Sequence, residues 1–193
     1  METVLKRLID LILSVAALII LSPALLIIAL ITKLTSQGSV LYKQERIGHN
    51  EKPFTIYKFR SMFADAEKNG PALSSDNDER ITAWGKFMRT WRLDELPQLW
   101  NIAIGDMSLV GPRPERKYYI DQLIQQSPQY SNLLKVKPGL TSWGMVKFGY
   151  ASSVEEMTQR MEYDLMYIED ASLLLDFRII LHTFSLVISG KGK

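Results

Sequence analysis

The longest apolar run in the chain lies near its N-terminus. Residues 11–32 carry no charge, and nearly every position is apolar. Such a run matches the roughly 20 residues that cross a bilayer core. It is too long for a secretory signal core, and no small-x-small cleavage site closes it before Lys33. Ser22-Pro23 interrupts it. Pro23 cannot donate to the carbonyl of Ile19, so a break is expected there, with the Ser22 hydroxyl satisfying part of the freed backbone. Basic residues flank both sides: Lys6 and Arg7 before, Lys33, Lys43 and Arg46 after. Positive residues mark the cytoplasmic side of a membrane. A hairpin that enters and leaves by one face keeps both flanks inside; a straight span does not. On the residues alone, both topologies stay open.

Beyond this run the period changes. Residues 40–44 read as a strand, 48–52 as a turn and 54–59 as the returning strand. Alternation places Phe54, Ile56, Lys58 and Arg60 on one face, and Thr55, Tyr57 and Phe59 on the other. Two cations therefore leave the strand end together. They are either a solvated terminus or a phosphate clamp, since Arg offers a planar fork and Lys a point charge. Residues 65–80 are polar and read as a loop or a short helix plus loop, with solvated acidic residues. In 81–92, Trp84, Phe87, Met88 and Trp91 recur at helical spacing among Lys86, Arg89 and Arg92. That pattern fits an interfacial helix or an ordinary core stripe.

Further on, 108–110 is a short strand, 114–126 a helix and 135–139 a turn. Ser152 and Glu155 match a capping box. Val154, Met157, Met161, Leu165 and Ile168 then form one stripe of an amphipathic helix. Residues 172–189 are apolar but include Asp176, Arg178 and His182, which argues against a lipid-exposed span. A helix packed on the domain or lying in the interface is expected, with His182 structural. The tail Lys191-Gly192-Lys193 suits anionic headgroups.

Composition narrows the chemistry. At 193 residues the chain holds about one domain, and a net charge of +2 implies no nucleic acid partner. The absence of cysteine excludes disulfides and Cys-ligated metals, and the two histidines leave little for a His-rich zinc site or a Ser-His-Asp triad. Acid–base and nucleophilic work would fall to carboxylates.

The densest candidate is residues 92–101, Arg-Leu-Asp-Glu-Leu-Pro-Gln-Leu-Trp-Asn. Asp94 and Glu95 precede an apolar run with Pro97 two residues on. Proline belongs in a helix's first turn, so a helix is expected to start near Asp94 or Glu95, with Asp94 as N-cap. Carboxylates and phosphates both suit a helix N-terminus. With Arg89 and Arg92 nearby, the pair suits phosphoryl chemistry, although a cap with a salt-bridge partner explains it equally. In Gly111-Pro112-Arg113-Pro114-Glu115, two prolines stiffen the loop that presents Arg113, which lowers the ordering cost of gripping an anion.

Taken in order, Ser22-Pro23, Lys58-Phe59-Arg60-Ser61-Met62, the 92–101 block, Gly111-Pro112-Arg113-Pro114-Glu115 and Lys137-Pro138-Gly139-Leu140-Thr141 resemble the bacterial sugar transferase family of small monotopic phosphoglycosyl transferases. The resemblance covers essentially the whole chain, in what looks like the family's minimal form. One departure is Ser142-Trp143, where many members carry Gly-Trp, and residues 146–150 are also unusual; both bear on sugar specificity rather than on the chemistry.

The resemblance implies a mostly helical α/β fold, with a re-entrant membrane helix in 1–35 broken at Ser22 and Pro23, and a catalytic domain in 36–193 carrying interfacial amphipathic helices. It implies transfer of a sugar 1-phosphate from a UDP-sugar to polyprenyl (undecaprenyl) phosphate, with release of UMP. Asp94 would be the nucleophile of a covalent intermediate, and Glu95 a magnesium ligand or an activator of the acceptor. Lys58, Arg60, Arg89, Arg92, Arg113, Pro112 and Pro114 would contact substrate. The expected setting is the cytoplasmic face of the bacterial inner membrane, among lipids and downstream glycosyltransferases, with a homodimer left open. The alternatives are a magnesium-dependent phosphohydrolase on the same membrane and a non-catalytic scaffold for glycosyltransferases.

Overall fold

The fold is known from a computed structural model that describes residues 4–190 except 69, 71 and 74–77. The expectation for the basic tail, and part of that for the polar loop 65–80, lie outside those residues. The molecule is a mixed α/β structure, 59% helical.

Helices α1 (Val4–Ile20) and α2 (Ser22–Thr35) meet at Leu21 with a bend of 63°. Pro23 causes the break, and the Ser22 hydroxyl donates to the Ile19 carbonyl at 2.8 Å, the acceptor that proline leaves without its amide. No single described helix is long and apolar enough to cross a membrane; the bent pair is, by length and composition only.

The start of α1 is docked on the domain. Arg7 donates to the carbonyls of Ile102 and Ala103 at 2.6 and 2.8 Å, and so satisfies the end of α4 (Gln98–Ile104). Asp10 is buried and accepts from the Ser108 hydroxyl at 2.7 Å and the Leu109 amide at 3.2 Å. Lys6 pairs with Asp176 at 2.5 Å. Charges read from the sequence as membrane flanks thus have structural partners, which fix the angle at which the apolar pair leaves the domain.

Strands β1 (Leu41–Ile47) and β2 (Pro53–Phe59) form an antiparallel hairpin in which Tyr42 faces Lys58. A second sheet pairs β3 (Ser108–Val110) with β4 (Gly139–Thr141) in parallel. Gly139 is required there: a Cβ on it would lie 2.1 Å from the Gly111 amide nitrogen. Helix α3 (Ala83–Thr90) buries Met88 against Ile28 and Phe59, while Phe87 and Trp91 of the same stripe stay exposed. The largest core joins α5 (Lys117–Gln126), the turn Pro128–Lys135 and α7 (Val154–Glu169), with Leu123, Met157 and Met161 at its centre.

Two boundaries shift. Helix α5 starts three residues after Pro114, behind Arg116, whose extended backbone forms its N-cap. The α7 cap is Ser153, whose hydroxyl accepts from the Glu156 amide, while Glu156 reaches back to Ser152. The box is therefore offset by one residue. Between these elements lie α6 (Trp143–Lys147) and, at the C-terminal end, α8 (Leu173–Ile188). Helix α8 buries Asp176 and Ile179 and leaves Leu174, Phe177, Leu181 and Phe184 exposed. His182 lies edge-on to Trp143 at 6.4 Å, a packing role.

Candidate active site

The acidic pair does not start the helix. Asp94 and Glu95 sit on a 3₁₀ turn, Leu93–Glu95; Pro97 takes the N-cap position and α4 begins at Gln98. Asp94 is therefore not a cap. The backbone reaches this turn through Arg92 in the left-handed region, φ 52°. That conformation costs a non-glycine residue of order 1–3 kcal/mol. It is held by the Arg92 side chain, which donates to Glu95 Oε2 at 2.6 and 2.9 Å and to the Leu140 carbonyl at 3.0 Å.

Glu95 is saturated by cations. Lys58 Nζ lies 2.8 Å from Oε1, and Arg113 Nη2 lies 3.5 Å from the same oxygen. Burial raises its pKa, but Lys58, Arg92 and Arg113 outweigh burial and hold the carboxyl well below the usual carboxylate range. Lys58 in turn is lowered by burial, against the pull of Glu95.

Asp94 differs in kind. It is also buried, at 6% exposure, but its described neighbours act on it through charge alone. Burial and the adjacent Glu95 raise its pKa; Lys58, Arg89 and Arg92 oppose them. Two neighbouring carboxyls are thus pushed apart, one locked as an ion in a salt-bridge cluster, the other more basic and facing a cavity.

That cavity has a volume of about 650 Å³, within the range of sites for small organic ligands. Asp94, Glu95, Lys58, Arg89 and Arg113 form one end. The wall continues along the inner face of β1, through Tyr42, Gln44 and Arg46, to Glu67, Glu115, Arg116 and Tyr150. Arg113 stands 5.3 Å over the Tyr150 ring, and burial, then Glu95, pushes the Tyr150 pKa up to about 12.

Several expected site residues also have structural partners. Arg60 lines the cavity, but its guanidinium donates to the carbonyls of Ser39, Ser36 and Thr32, the last two at 2.7 and 3.4 Å. It ties the end of α2 to the hairpin instead of joining Lys58 at the acidic pair, because the α2 carbonyls that need donors lie beside it. Pro112 and Pro114 lend carbonyls to the scaffold: Pro112 accepts from the Gly139 amide at 2.9 Å, Pro114 from Arg46 at 3.0 Å. Arg89 donates to the Ser61 hydroxyl at 2.9 Å. Glu67, expected to be solvated, is half-buried: it pairs with Arg116 through two 2.9 Å bonds and accepts from Tyr42. Asp78 likewise pairs with Arg80 at 2.6 Å.

Sequence reasoning passed over Glu67, Arg116 and Tyr150 because each reaches the site from a distant loop or helix. The only hint was the unusual stretch that ends in Tyr150.

Among the described residues no group of three His, Cys, Asp or Glu side chains forms a metal cage. The Asp94–Glu95 pair does fit a hard cation that arrives with phosphate oxygens, since magnesium needs only one or two protein carboxylates.

One carboxylate facing a cavity and a second holding three cations beside it form the charged centre of this mixed α/β fold. The chain belongs to the bacterial sugar transferase family, whose sequence model matches residues 1–190. It is 40% identical over 187 residues to a UDP-N-acetylgalactosamine-undecaprenyl-phosphate N-acetylgalactosaminephosphotransferase of Aeromonas hydrophila, covering 97% of this chain and 44% of that protein. It is 42% identical over 182 residues to a UDP-glucose:undecaprenyl-phosphate glucose-1-phosphate transferase of Klebsiella pneumoniae, covering 93% of this chain and 39% of that one. An exopolysaccharide production protein of Rhizobium leguminosarum bv. phaseoli is 39% identical over 202 residues, covering 100% of both chains. The chain thus spans about two-fifths of the length of the first two relatives.

Proposed function

We propose that this protein transfers a sugar 1-phosphate from a UDP-sugar to undecaprenyl phosphate through a covalent phosphosugar on Asp94. The observation that carries the reading is the division of labour in the acidic pair: Glu95 is committed to Lys58, Arg92 and Arg113, while Asp94 faces the cavity and is raised in pKa.

A carboxylate oxygen of Asp94 attacks the sugar-bearing phosphorus of the donor. The bond from that phosphorus to the bridging oxygen breaks, and UMP leaves with the bond's electrons. An oxygen of the lipid phosphate then attacks the same phosphorus and displaces Asp94, which returns as a carboxylate. A carboxylate nucleophile divides one difficult displacement into two. Its raised basicity strengthens the attack, and Lys58, Arg89 and Arg92 favour the ionised form that performs it. Lys58 and Arg113 are placed to take up the donor diphosphate. As Lys58 and Arg113 pass from Glu95 to the donor phosphates, the freed Glu95 oxygen would hold magnesium, which would offset the phosphate charge.

A lipid acceptor calls for a protein that reaches the membrane surface. The bent α1–α2 pair and α8 both expose large apolar side chains, as elements in membrane or partner contact do. We place the pair as a re-entrant hairpin on the cytoplasmic face of the inner membrane. The relatives divide between N-acetylgalactosamine and glucose, so both UDP-sugars head the donor panel.

The test is purified protein in nanodiscs with magnesium and each donor, without lipid acceptor, read by intact mass and UMP release. A sugar-phosphate adduct that is absent in Asp94→Asn and is discharged by undecaprenyl phosphate is the expected result. UMP formed only when lipid is present, with no adduct, refutes the covalent step. UMP release with no lipid product under any condition favours a phosphohydrolase.

A further inference from the structure

Helix α1 carries Arg7 and Asp10 one turn apart, on the face that meets the domain. Asp10 is 3% exposed, and Ser14, one turn further along that face, is fully buried. Ala17, Leu18 and Leu21 continue the face against the core of Ile56, Leu99, Ile102 and Met107. The opposite face, with Leu8, Ile12 and Ile19, is exposed and apolar. On such a helix a buried carboxylate is costly unless it is paired. Asp10 accepts from the Ser108 hydroxyl at 2.7 Å and the Leu109 amide at 3.2 Å. Among the described residues β3 pairs with β4 alone. Ser108 gives its amide to Pro138 on that side, so the Leu109 amide faces the open edge. The Asp10 carboxylate stands there in place of a third strand and satisfies it. Arg7 serves α4 in the same way, holding its last carbonyls.

The two elements held by α1 are the two that carry the site. β3 runs on into Gly111-Pro112-Arg113, and α4 follows the turn of Asp94 and Glu95. A second tie runs beside the first. The Tyr167 hydroxyl lies 3.3 Å from the Val110 carbonyl and 2.7 Å from Asp176, which pairs with Lys6 of α1.

We propose that Asp10 is a positioning residue for the lipid acceptor: by fixing α1 to β3, it sets the height of Asp94 and Arg113 above the headgroups where the acceptor phosphate lies. The effect on activity rests on the function and membrane placement proposed above; the docking of α1 does not. The donor arrives from water and reaches the cavity at any height. The acceptor phosphate is confined to the headgroup level by its own chain. A loosened α1 therefore leaves the first displacement intact and slows the second. A misplacement of about 1 Å caused far from the chemistry can cost about 100-fold in rate.

The experiment compares the full-length wild type with Asp10→Ala and Asp10→Asn, in nanodiscs with magnesium. Alanine takes the acceptor away from the Leu109 amide. Asparagine keeps an acceptor oxygen for that amide and offers an N–H to the Ser108 hydroxyl. Three rates are read by intact mass and UMP release: adduct formation from the UDP-sugar, its discharge by undecaprenyl phosphate in the disc, and its discharge by a short-chain, water-soluble prenyl phosphate. In Asp10→Ala, discharge by undecaprenyl phosphate should slow about tenfold or more, with the other two rates within about twofold of wild type. Asp10→Asn should recover most of the loss. Lipid discharge equal to wild type overturns the proposal. An equal fall in adduct formation or in discharge by the soluble acceptor also overturns it, since either marks a general structural loss, as does an asparagine variant no faster than the alanine one. Should Asp10→Ala not fold, Asp10→Ser takes its place, because a serine hydroxyl turns back to its own helix.

A wild type that forms no adduct refutes the transferase reading, and the docking is then judged by depth. The chain has no cysteine, so a nitroxide on Ile104→Cys, an exposed position at the end of α4, reports its height through collisions with oxygen and with a water-soluble nickel chelate. The label should shift in Asp10→Ala and stay in place in Asp10→Asn. A label unmoved in both refutes the role of Asp10.

Discussion

Glu95→Gln removes the one carboxylate that three buried cations share and keeps its volume. Lys58 then has no anion at 2.8 Å, and Arg92 loses both of its bonds to Oε2. Breaking a buried ion pair from one side costs about 3–5 kcal/mol, because the surviving charge stays buried. The lower end applies, since Arg92 keeps the Leu140 carbonyl and Arg113 keeps Glu115. A loss of about 3 kcal/mol is a large share of the 5–15 kcal/mol typical of a folded domain. At about 3 °C per kcal/mol for a chain this long, the melting temperature should fall by about 9 °C. The pH dependence checks the cause. Glu95 is depressed in the folded state, so its contribution is complete above its ordinary value of 4.5 and is lost as pH falls through the folded value. The gap between wild type and variant should therefore be constant from pH 8 to about 5.5 and close below pH 4.5. Thermal melts in one detergent across that range measure it. A drop under 2 °C at pH 7.5, or a gap that widens on acidification, refutes the account of Glu95 as the site's counter-charge.

Asp94→Asn should abolish the covalent adduct and UMP release without lowering the melting temperature, because burial and Glu95 already disfavour a charge at that position; calorimetry beside the mass measurement checks both halves. Arg60→Met should lower the melting temperature by about 5 °C, from charge-assisted bonds worth about 1.5–3 kcal/mol to the end of α2. Its donor KM, read from UMP release, should stay within about twofold of wild type. Pro23→Ala restores the amide that the Ile19 carbonyl lacks and should straighten the helix pair. The chain has no cysteine, so a single Val4→Cys reports the change: labelled only from the cytoplasmic side with Pro23 present, and increasingly from the opposite side without it.

Elements set by local chemistry were legible in the sequence. The break at Ser22-Pro23, the hairpin, strand 108–110 and the Met157–Met161 stripe each depend on proline geometry or a short hydrophobic period, and the structure has them at those positions. The helix after the acidic pair was misplaced because Pro97 fits either the first turn or the N-cap, and only the left-handed Arg92 decides between them. The structural bonds of Arg60 were not legible for a different reason. Strand alternation gives the face on which a side chain leaves but not the helix end that competes for it, and that helix end comes from residues 32–36. Glu67 and Arg116, 49 positions apart, pair only after the chain has folded, so no local pattern marks them.

The charge arrangement explains why the site needs two carboxylates and not one. Lys58, Arg92 and Arg113 stand in a buried wall where unpaired cations would repel one another and pay full desolvation. Glu95 gives all three a partner and offsets part of their charge while the cavity holds no anion. A diphosphate that enters beside Asp94 gives the same cations a second partner, so Lys58 and Arg113 can pass from carboxylate to phosphate with little change in their own burial. Among the described residues no ion pair is made to Asp94, which keeps it basic for the attack proposed above. With a single carboxylate, the group that balanced the cations would also be the group that attacked, and its pKa would be driven down by the charges that hold the substrate. Dividing the tasks between neighbours on one 3₁₀ turn keeps a strongly ionised residue and a basic one within the same short turn, a separation that tertiary charge placement, not the Asp-Glu dipeptide, creates.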